Sequence, residues 1–221
     1  MLKALIFDFD GLILDTETPD LLAWQEIYAE YGVEFPVSLW GQIIGGAGGP
    51  HFDAAVYLQG LISRPLDRDA LQSRQDQISH ALVAKQSILP GVVDYLNEAK
   101  RLNLGLAIAS SSPHSWVDTH AKRLGIFDHF DKIICRDDVG AGRTKPNPDL
   151  FLLALNQLEV QKEAAVVFED SPNGVIAAKQ AGIFVVAVPN PVTSLLVIEG
   201  ANLILSSLSE IPFSELMNKV Q

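Results

Sequence analysis

The sequence predicts an α/β protein: a doubly wound parallel sheet, Rossmann-like in its alternation, with an inserted all-helical segment. Two observations carry this. Short apolar runs recur with segments of helical period between them, and one long stretch near the start breaks that rhythm with helical patterns alone. At 221 residues the chain has room for one large domain or for a core with an insert.

The first apolar run, Leu5 to Phe7, is short and continuous, as befits a strand buried on both faces. The stretch from about Thr16 to Gln86 contains no convincing strand. Residues 19–31, 51–62 and 67–85 read there as helices, separated by turns bearing Gly and Pro. The chain re-enters the core near Ser87-Ile88-Leu89-Pro90-Gly91. Residues 1–15 and 88–221 are therefore expected to form the α/β core and 16–87 a helical cap. An insert tethered by two linkers is able to close over a site as a lid. Further strands are expected at Leu104 to Ala109, Lys132 to Cys135, Ala164 to Phe168 and Ile183 to Val188. Helices are expected over 92–102, 114–124, 148–158 and 172–181, where apolar residues stand three and four apart. Gly105, Gly125 and Gly182 follow three of these closely, as helix stops do.

Hydrophobic residues at 48% and charged residues at 19% argue against global disorder. Lys and Arg total 16 against 27 Asp and Glu, a net charge of −11. That disfavours nucleic acid or an anionic membrane as partner, since both need a basic face. An anionic small substrate would need a local cation. Cys135 is the only cysteine, so no internal disulfide forms, and a small buried side chain is expected. Asp8 interrupts the first apolar stretch, which lacks a cleavage pattern, and no run approaches the length of a membrane span. A cytoplasmic protein is the expectation.

The chemistry stands at strand ends. Asp8 and Asp10 close the first apolar run, at the edge where open α/β sheets bind ligands. Gly11 follows and lets the backbone turn sharply and come close to a ligand. Two acids in one turn divide the work readily, one as nucleophile or metal ligand and the other exchanging protons. Ser110 follows the next core strand in Ala109-Ser110-Ser111-Ser112-Pro113, where hydroxyls and free N–H groups face an anion together. Helix capping by Ser112 or Ser111 is the plainer alternative. Lys145 precedes Pro146, which holds it in extended backbone, and its compact ammonium suits a phosphoryl oxygen. A solvated loop lysine is the alternative there. Glu169 and Asp170 follow Ala165-Val166-Val167-Phe168. Adjacent acids at a buried strand's end repel one another unless a cation joins them, and hard cations such as Mg²⁺ prefer carboxylate oxygens. An acidic start to the helix near Pro172 is compatible with that. One sheet edge would thus collect Asp8, Asp10, Ser110, Lys145, Glu169 and Asp170.

The strings DFDGLILDTE, IASSS, KPNPDLF and FEDSPNGVIAAKQAG, in this order, resemble the four motifs of the haloacid-dehalogenase-like superfamily of phosphatases. The helical insert after the first motif resembles the small cap of that superfamily's β-phosphoglucomutase-like branch. The resemblance spans essentially the whole chain. It implies that Asp8 attacks phosphorus to give an aspartyl-phosphate, and that Asp10 protonates the leaving alcohol and later takes a proton from water. It implies that Ser110 and Lys145 hold the phosphoryl oxygens. It also implies a Mg²⁺ ion on Asp8, Asp170 and the backbone carbonyl of Asp10, with Glu169 close by.

A Mg²⁺-dependent phosphatase of a small phosphorylated metabolite is the first functional expectation. A sugar-phosphate mutase of the β-phosphoglucomutase type is the second. Those relatives place a histidine where Asp20 stands here, and they carry basic residues in a cap loop that has none between Ile44 and Pro50. A dehalogenase has no need of Asp10 or of the Glu169-Asp170 pair. A receiver-like phosphoacceptor module is far shorter and needs neither a second catalytic acid nor a lid. A monomer is expected. The glycine run Gly45 to Pro50 lacks the Lys-Ser or Lys-Thr of a P-loop and follows no strand, so it reads as a cap loop. Trp24, Trp40 and Trp116 read as packing residues, with Trp24 able to face a substrate. His51 and His114 have no partner at metal-ligand spacing.

Overall fold

Successive residues of the first strand turn to opposite faces of one sheet, and helices cover both. The computed structural model describes residues 1–37, 53–62 and 64–220. The strands are β1 Ala4–Phe7, β2 Gly105–Ala109, β3 Lys132–Ile134, β4 Ala165–Glu169, β5 Phe184–Ala187 and β6 Leu203–Ile204. They lie in the order β3-β2-β1-β4-β5-β6, and every pair is parallel. β1 is central: Ala4 stands opposite Gly105 on one side and Ala165 on the other. The fold is therefore the doubly wound parallel sheet that the sequence predicts.

Helices α1 Glu17–Glu30, α2 Ala54–Ile62 and α3 Arg68–Val83 precede α4 Val92–Arg101, α5 His114–Arg123 and the single turn α6 Arg136–Val139. α7 Asp149–Leu158, α8 Pro172–Ala181 and α9 Phe213–Val220 complete the set among the described residues. Leu5, Phe7, Ile108 and Phe168 face a cluster with Tyr95 and Leu96 of α4, Val117 of α5 and Phe213 of α9. Ala4, Ile6, Ala107 and Val167 face the opposite cluster, built on Phe151 of α7 and Val175 of α8. Continuous apolar runs suit strands covered on both faces, where inward and outward positions alike are dry. Across the β1–β4 pair, the Phe7 and Phe168 rings stack with centroids 4.7 Å apart.

The helices of the 16–87 stretch have a core of their own. Trp24, Ile27 and Tyr28 of α1 pack with Phe35, with Ala55 and Leu58 of α2 and with Leu71 of α3. The Tyr28 hydroxyl donates to the Ala54 carbonyl at 2.6 Å. Trp24 is thus a packing residue. The chain segments that lead into and out of these helices run side by side, with Leu14 bridged antiparallel to Ile88 and Leu89 N donating to Ile13 O at 2.9 Å. No helix among the described residues is long and apolar enough to cross a membrane.

Three details differ from the sequence reading. The left-handed residue at the end of α4 is Asn103, with φ +53°, and Gly105 instead opens β2. Cys135 leaves the third strand and caps α6. β6 and α9 carry no signal that the sequence reading used. Trp40, His51 and the loop from Gly45 to Pro50 lie outside the described residues.

Candidate active site

Five of the six residues sit at or just past the C-terminal ends of β1, β2 and β4, and the sixth arrives on a loop. Parallel pairing in register brings the strand ends to one edge: Phe7 lies beside Ile108 and Phe168, so the residues that follow each of them converge. Lys145 comes from the loop ahead of α7, where its peptide bond to Pro146 is cis. Its ammonium lies 5.2 Å from the centre of the Phe151 ring, a cation–π contact that seats it over α7.

Burial is nearly complete: Asp8 is 7% exposed, Ser110 1%, Asp170 2% and Glu169 0%. The Lys145 ammonium pairs with the Asp8 carboxylate and lies 2.5 Å from Glu169 Oε1. Carboxylate oxygens of Asp8, Glu169 and Asp170 all lie within 4.8 Å of one another. Burial first, then Glu169, pushes Asp8 up to about 8, against the pull of Lys145. Asp170 is raised well above the ordinary carboxylate range by burial, Asp8 and Glu169. Burial alone would lower the Lys145 ammonium, but Asp8 and Glu169 together outweigh it and hold it above its ordinary value. Three buried acids thus share one lysine, and two of them are forced toward the neutral form. Such a donor set, hard oxygens with an excess of negative charge, fits a divalent cation such as Mg²⁺.

Two glycines make this approach possible. A Cβ on Gly11 would stand 2.2 Å from Asp170 Oδ2, and its φ of +77° disfavours any side chain there. A Cβ on Gly174 would fall 1.8 Å from the Glu169 carboxyl carbon. Glu169 also serves the start of α8, where its Oε2 accepts from Asp170 N at 3.2 Å and from the Ser171 hydroxyl at 3.3 Å. The acidic-helix-start and cation readings of Glu169-Asp170 are thus compatible.

The Asp10 side chain turns away from the carboxylate cluster. Its Oδ2 accepts from Ser112 Oγ at 2.7 Å and Ser110 Oγ at 3.3 Å, and its Oδ1 accepts from Trp116 Nε1 at 2.7 Å. Pro113, not a serine, is the cap residue of α5, and the first N–H of that helix, His114 N, donates to Asp137 Oδ2 at 2.7 Å. The serines therefore face the site, contrary to the capping alternative. Asp8 and Asp10 line one cavity of about 620 Å³ together with Lys145, Ser110 and Asp170. Its opposite wall comes from the helical stretch, through Glu17, Asp20, Ser79 and His80.

Three participants went unnoticed in the sequence. Asn190 donates from Nδ2 to Asp170 Oδ2 at 2.8 Å and to the Gly11 carbonyl at 3.2 Å, fixing both. Its position just past the fifth apolar run was the available signal. Trp116, read as packing, bonds Asp10. Glu17 lines the cavity, and burial followed by Asp10 and Asp20 pushes it up to about 8. In the folded protein Glu17 thus holds a proton that the unfolded chain releases near its ordinary value of 4.5. Its contribution to stability is fully present below that value and is lost as pH rises through about 8. Glu17→Gln is expected to raise the melting temperature in chelator more at pH 8 than at pH 5, by about 2–4 °C. Differential scanning fluorimetry at the two pH values checks it.

The match to a family model covers residues 2–182, and that family is described as haloacid dehalogenase-like hydrolase. YhcW of Bacillus subtilis (strain 168) is 45% identical over 219 residues, 99% of this chain and 97% of that protein. The phosphorylated carbohydrates phosphatase of Thermotoga maritima is 33% identical over 186 residues, 82% of each chain. The crystal structure of CbbY from Rhodobacter sphaeroides in complex with phosphate superposes with a TM-score of 0.71 at 29% identity, covering 95% of this chain and 96% of that one. On the match across most of its length and the close relatives beside it, the chain belongs to the haloacid dehalogenase-like hydrolase family.

Proposed function

We propose that this chain is a Mg²⁺-dependent phosphomonoesterase of small phosphorylated metabolites, working through an aspartyl-phosphate on Asp8. The observation that carries it is the division of two acids in one turn: Asp8 paired with Lys145 inside the carboxylate cluster, and Asp10 outside it, held by hydroxyl and indole donors. In this reading residues 1–15 and 88–221 form the core and 16–87 the cap that closes the cavity.

Lys145 and Ser110 hold the phosphoryl oxygens and orient phosphorus for in-line attack. An Asp8 oxygen forms a bond to phosphorus as the ester P–O bond breaks. Asp10 gives its proton to the departing alcohol oxygen. A water then attacks the phosphoryl group, Asp10 takes the water's proton, and the Asp8–phosphorus bond breaks to release inorganic phosphate. Mg²⁺, held by Asp8, Asp170 and the Asp10 carbonyl with Glu169 close by, would neutralise the charge that collects on the phosphoryl oxygens.

The cavity also bears on the alcohol that leaves. No Lys or Arg occurs between Lys3 and Arg64. Arg68 and Arg74 of α3 are exposed and paired to Asp53 and Glu30. The cap wall meets the substrate with Glu17, Asp20, Ser79 and His80. Gln75 and Ser79 bond Asp20, and burial nevertheless raises it. A second phosphate would find no lysine or arginine there. A neutral hydroxylated leaving group fits, in keeping with a relative named for phosphorylated carbohydrates. The same wall argues against a mutase, which must grip a bisphosphate intermediate in two orientations. The deciding experiment is a Mg²⁺-supplemented phosphometabolite panel, with phosphorus NMR on β-glucose 1-phosphate plus a trace of the 1,6-bisphosphate. Inorganic phosphate is the expected product. Faster accumulation of glucose 6-phosphate would overturn the phosphatase reading.

A further inference from the structure

We infer that Trp116 is a positioning residue for Asp10: its indole N–H fixes the carboxyl that exchanges protons with the leaving group. This rests on the reading of Asp10 as general acid given above. Trp116 Nε1 lies 2.7 Å from Asp10 Oδ1, and both residues line the same cavity. The two serine hydroxyls occupy the other oxygen, so the indole is the side-chain donor that sets the carboxyl's rotation from the Oδ1 side. A ring whose N–H has one direction orients a partner more sharply than a rotating hydroxyl does.

The ring itself is held from two sides. His120, one turn along α5, meets it edge-on at 4.3 Å between centroids. His80 of α3 lies against it at 5.0 Å. His120 is kept in place in turn, since its Nδ1 accepts from Arg123 Nε at 3.2 Å. The same guanidinium donates to the Gln86 carbonyl at 2.9 Å and the Val83 carbonyl at 3.2 Å, at the end of α3 and the segment that leads back to the core. Packed contacts therefore run unbroken from the base of the helical stretch, through Arg123, His120 and Trp116, to Asp10. The alignment of Asp10 then depends on how α3 sits on α5, so the covering helices help to complete the proton-transfer geometry.

The test uses leaving groups that differ in their need for a proton. 2,4-Dinitrophenolate departs unassisted, whereas the alkoxide of β-glycerol phosphate departs only when protonated. Trp116→Phe keeps the aromatic contacts and deletes the N–H. It is expected to lower kcat/KM on β-glycerol phosphate, which covers steps only up to departure of the alcohol, about ten- to hundredfold, the effect of one hydrogen bond to a charged group. On 2,4-dinitrophenyl phosphate kcat/KM is expected to stay within about threefold, because the hydrolysis of the aspartyl-phosphate, where Asp10 acts as base for both substrates, does not enter it. In an Asp10→Asn background the same substitution is expected to add almost nothing. Equal losses on both substrates, or no loss on either, would overturn the assignment. Asp10→Asn run alongside separates the two levels. If it discriminates between the substrates and Trp116→Phe does not, only the role of Trp116 falls; if it fails to discriminate, the acid role of Asp10 falls as well. Should Trp116→Phe not fold by circular dichroism, 3-benzothienylalanine at 116 replaces only the N–H with sulfur, and the same comparison decides.

Discussion

Asp8→Asn is expected to abolish turnover of every phosphomonoester while leaving the fold in place. An amide oxygen is a far weaker nucleophile than a carboxylate, and loss of a covalent nucleophile lowers kcat by about 10⁴-fold or more. Stability should move the other way. Asp8 is pushed up to about 8, so in the metal-free protein the folded state favours its neutral form and resists ionisation. Asparagine is neutral at every pH and nearly the same shape. In chelator at pH 8 the variant should melt at or above the wild type, and circular dichroism should be unchanged. A fluoroberyllate mimic of the aspartyl-phosphate should load the wild type and not the variant. Wild-type rates from Asp8→Asn would remove the covalent step.

Withdrawal of metal is expected to be nearly as severe. EDTA should suppress phosphate release from an aryl phosphate about a hundredfold or more, since the charge stabilisation a bound metal supplies amounts to several powers of ten in rate. Mg²⁺ should restore it. A second readout does not depend on turnover. Asp8 and Asp170 are both raised, so their contribution to stability is present below the ordinary carboxylate value and is lost as pH climbs through neutrality toward about 8. A bound cation takes the place of those protons. Added Mg²⁺ should therefore raise the melting temperature more at pH 8 than at pH 5, and Asp170→Asn should blunt the effect. Full activity in excess EDTA would take the metal out of the reaction.

The first five strands and the five residues at their ends were readable because their signals are local, and Lys145 because two prolines follow it closely. A buried parallel strand is a continuous apolar run, and the acids at its end interrupt that run abruptly, as Asp8 and Glu169 do. Parallel pairing then brings those ends to one edge whatever the spacing in the chain. β6 is two residues long and α9 eight, too short for period to declare itself. Trp116 and Asn190 stayed hidden for another reason. Trp116 reaches Asp10, and Asn190 reaches the Gly11 carbonyl as well as Asp170, across turns of the fold that no local period announces; only the place of Asn190 just past an apolar run hinted at it. At the end of α4, Asn103 took the left-handed position because its short polar side chain tolerates that conformation, which freed Gly105 to open β2 beside Ala4.

The central place of β1 has a consequence for how the protein is made. The strand that leads into Asp8 is made before the other strands of the sheet, yet both of its neighbours, β2 and β4, come much later in the chain. At about 5–20 residues per second, Ala4 waits about 8–30 s before Ala165 exists to pair with it. During that interval Leu5-Ile6-Phe7 is an apolar segment with both edges open, and the helices of the 16–87 stretch, whose contacts are local, emerge ahead of its partners. Synthesis thus delivers the helices of the 16–87 stretch before the rest of the sheet, and the strand that leads into Asp8 acquires its second neighbour only after α7 has been translated.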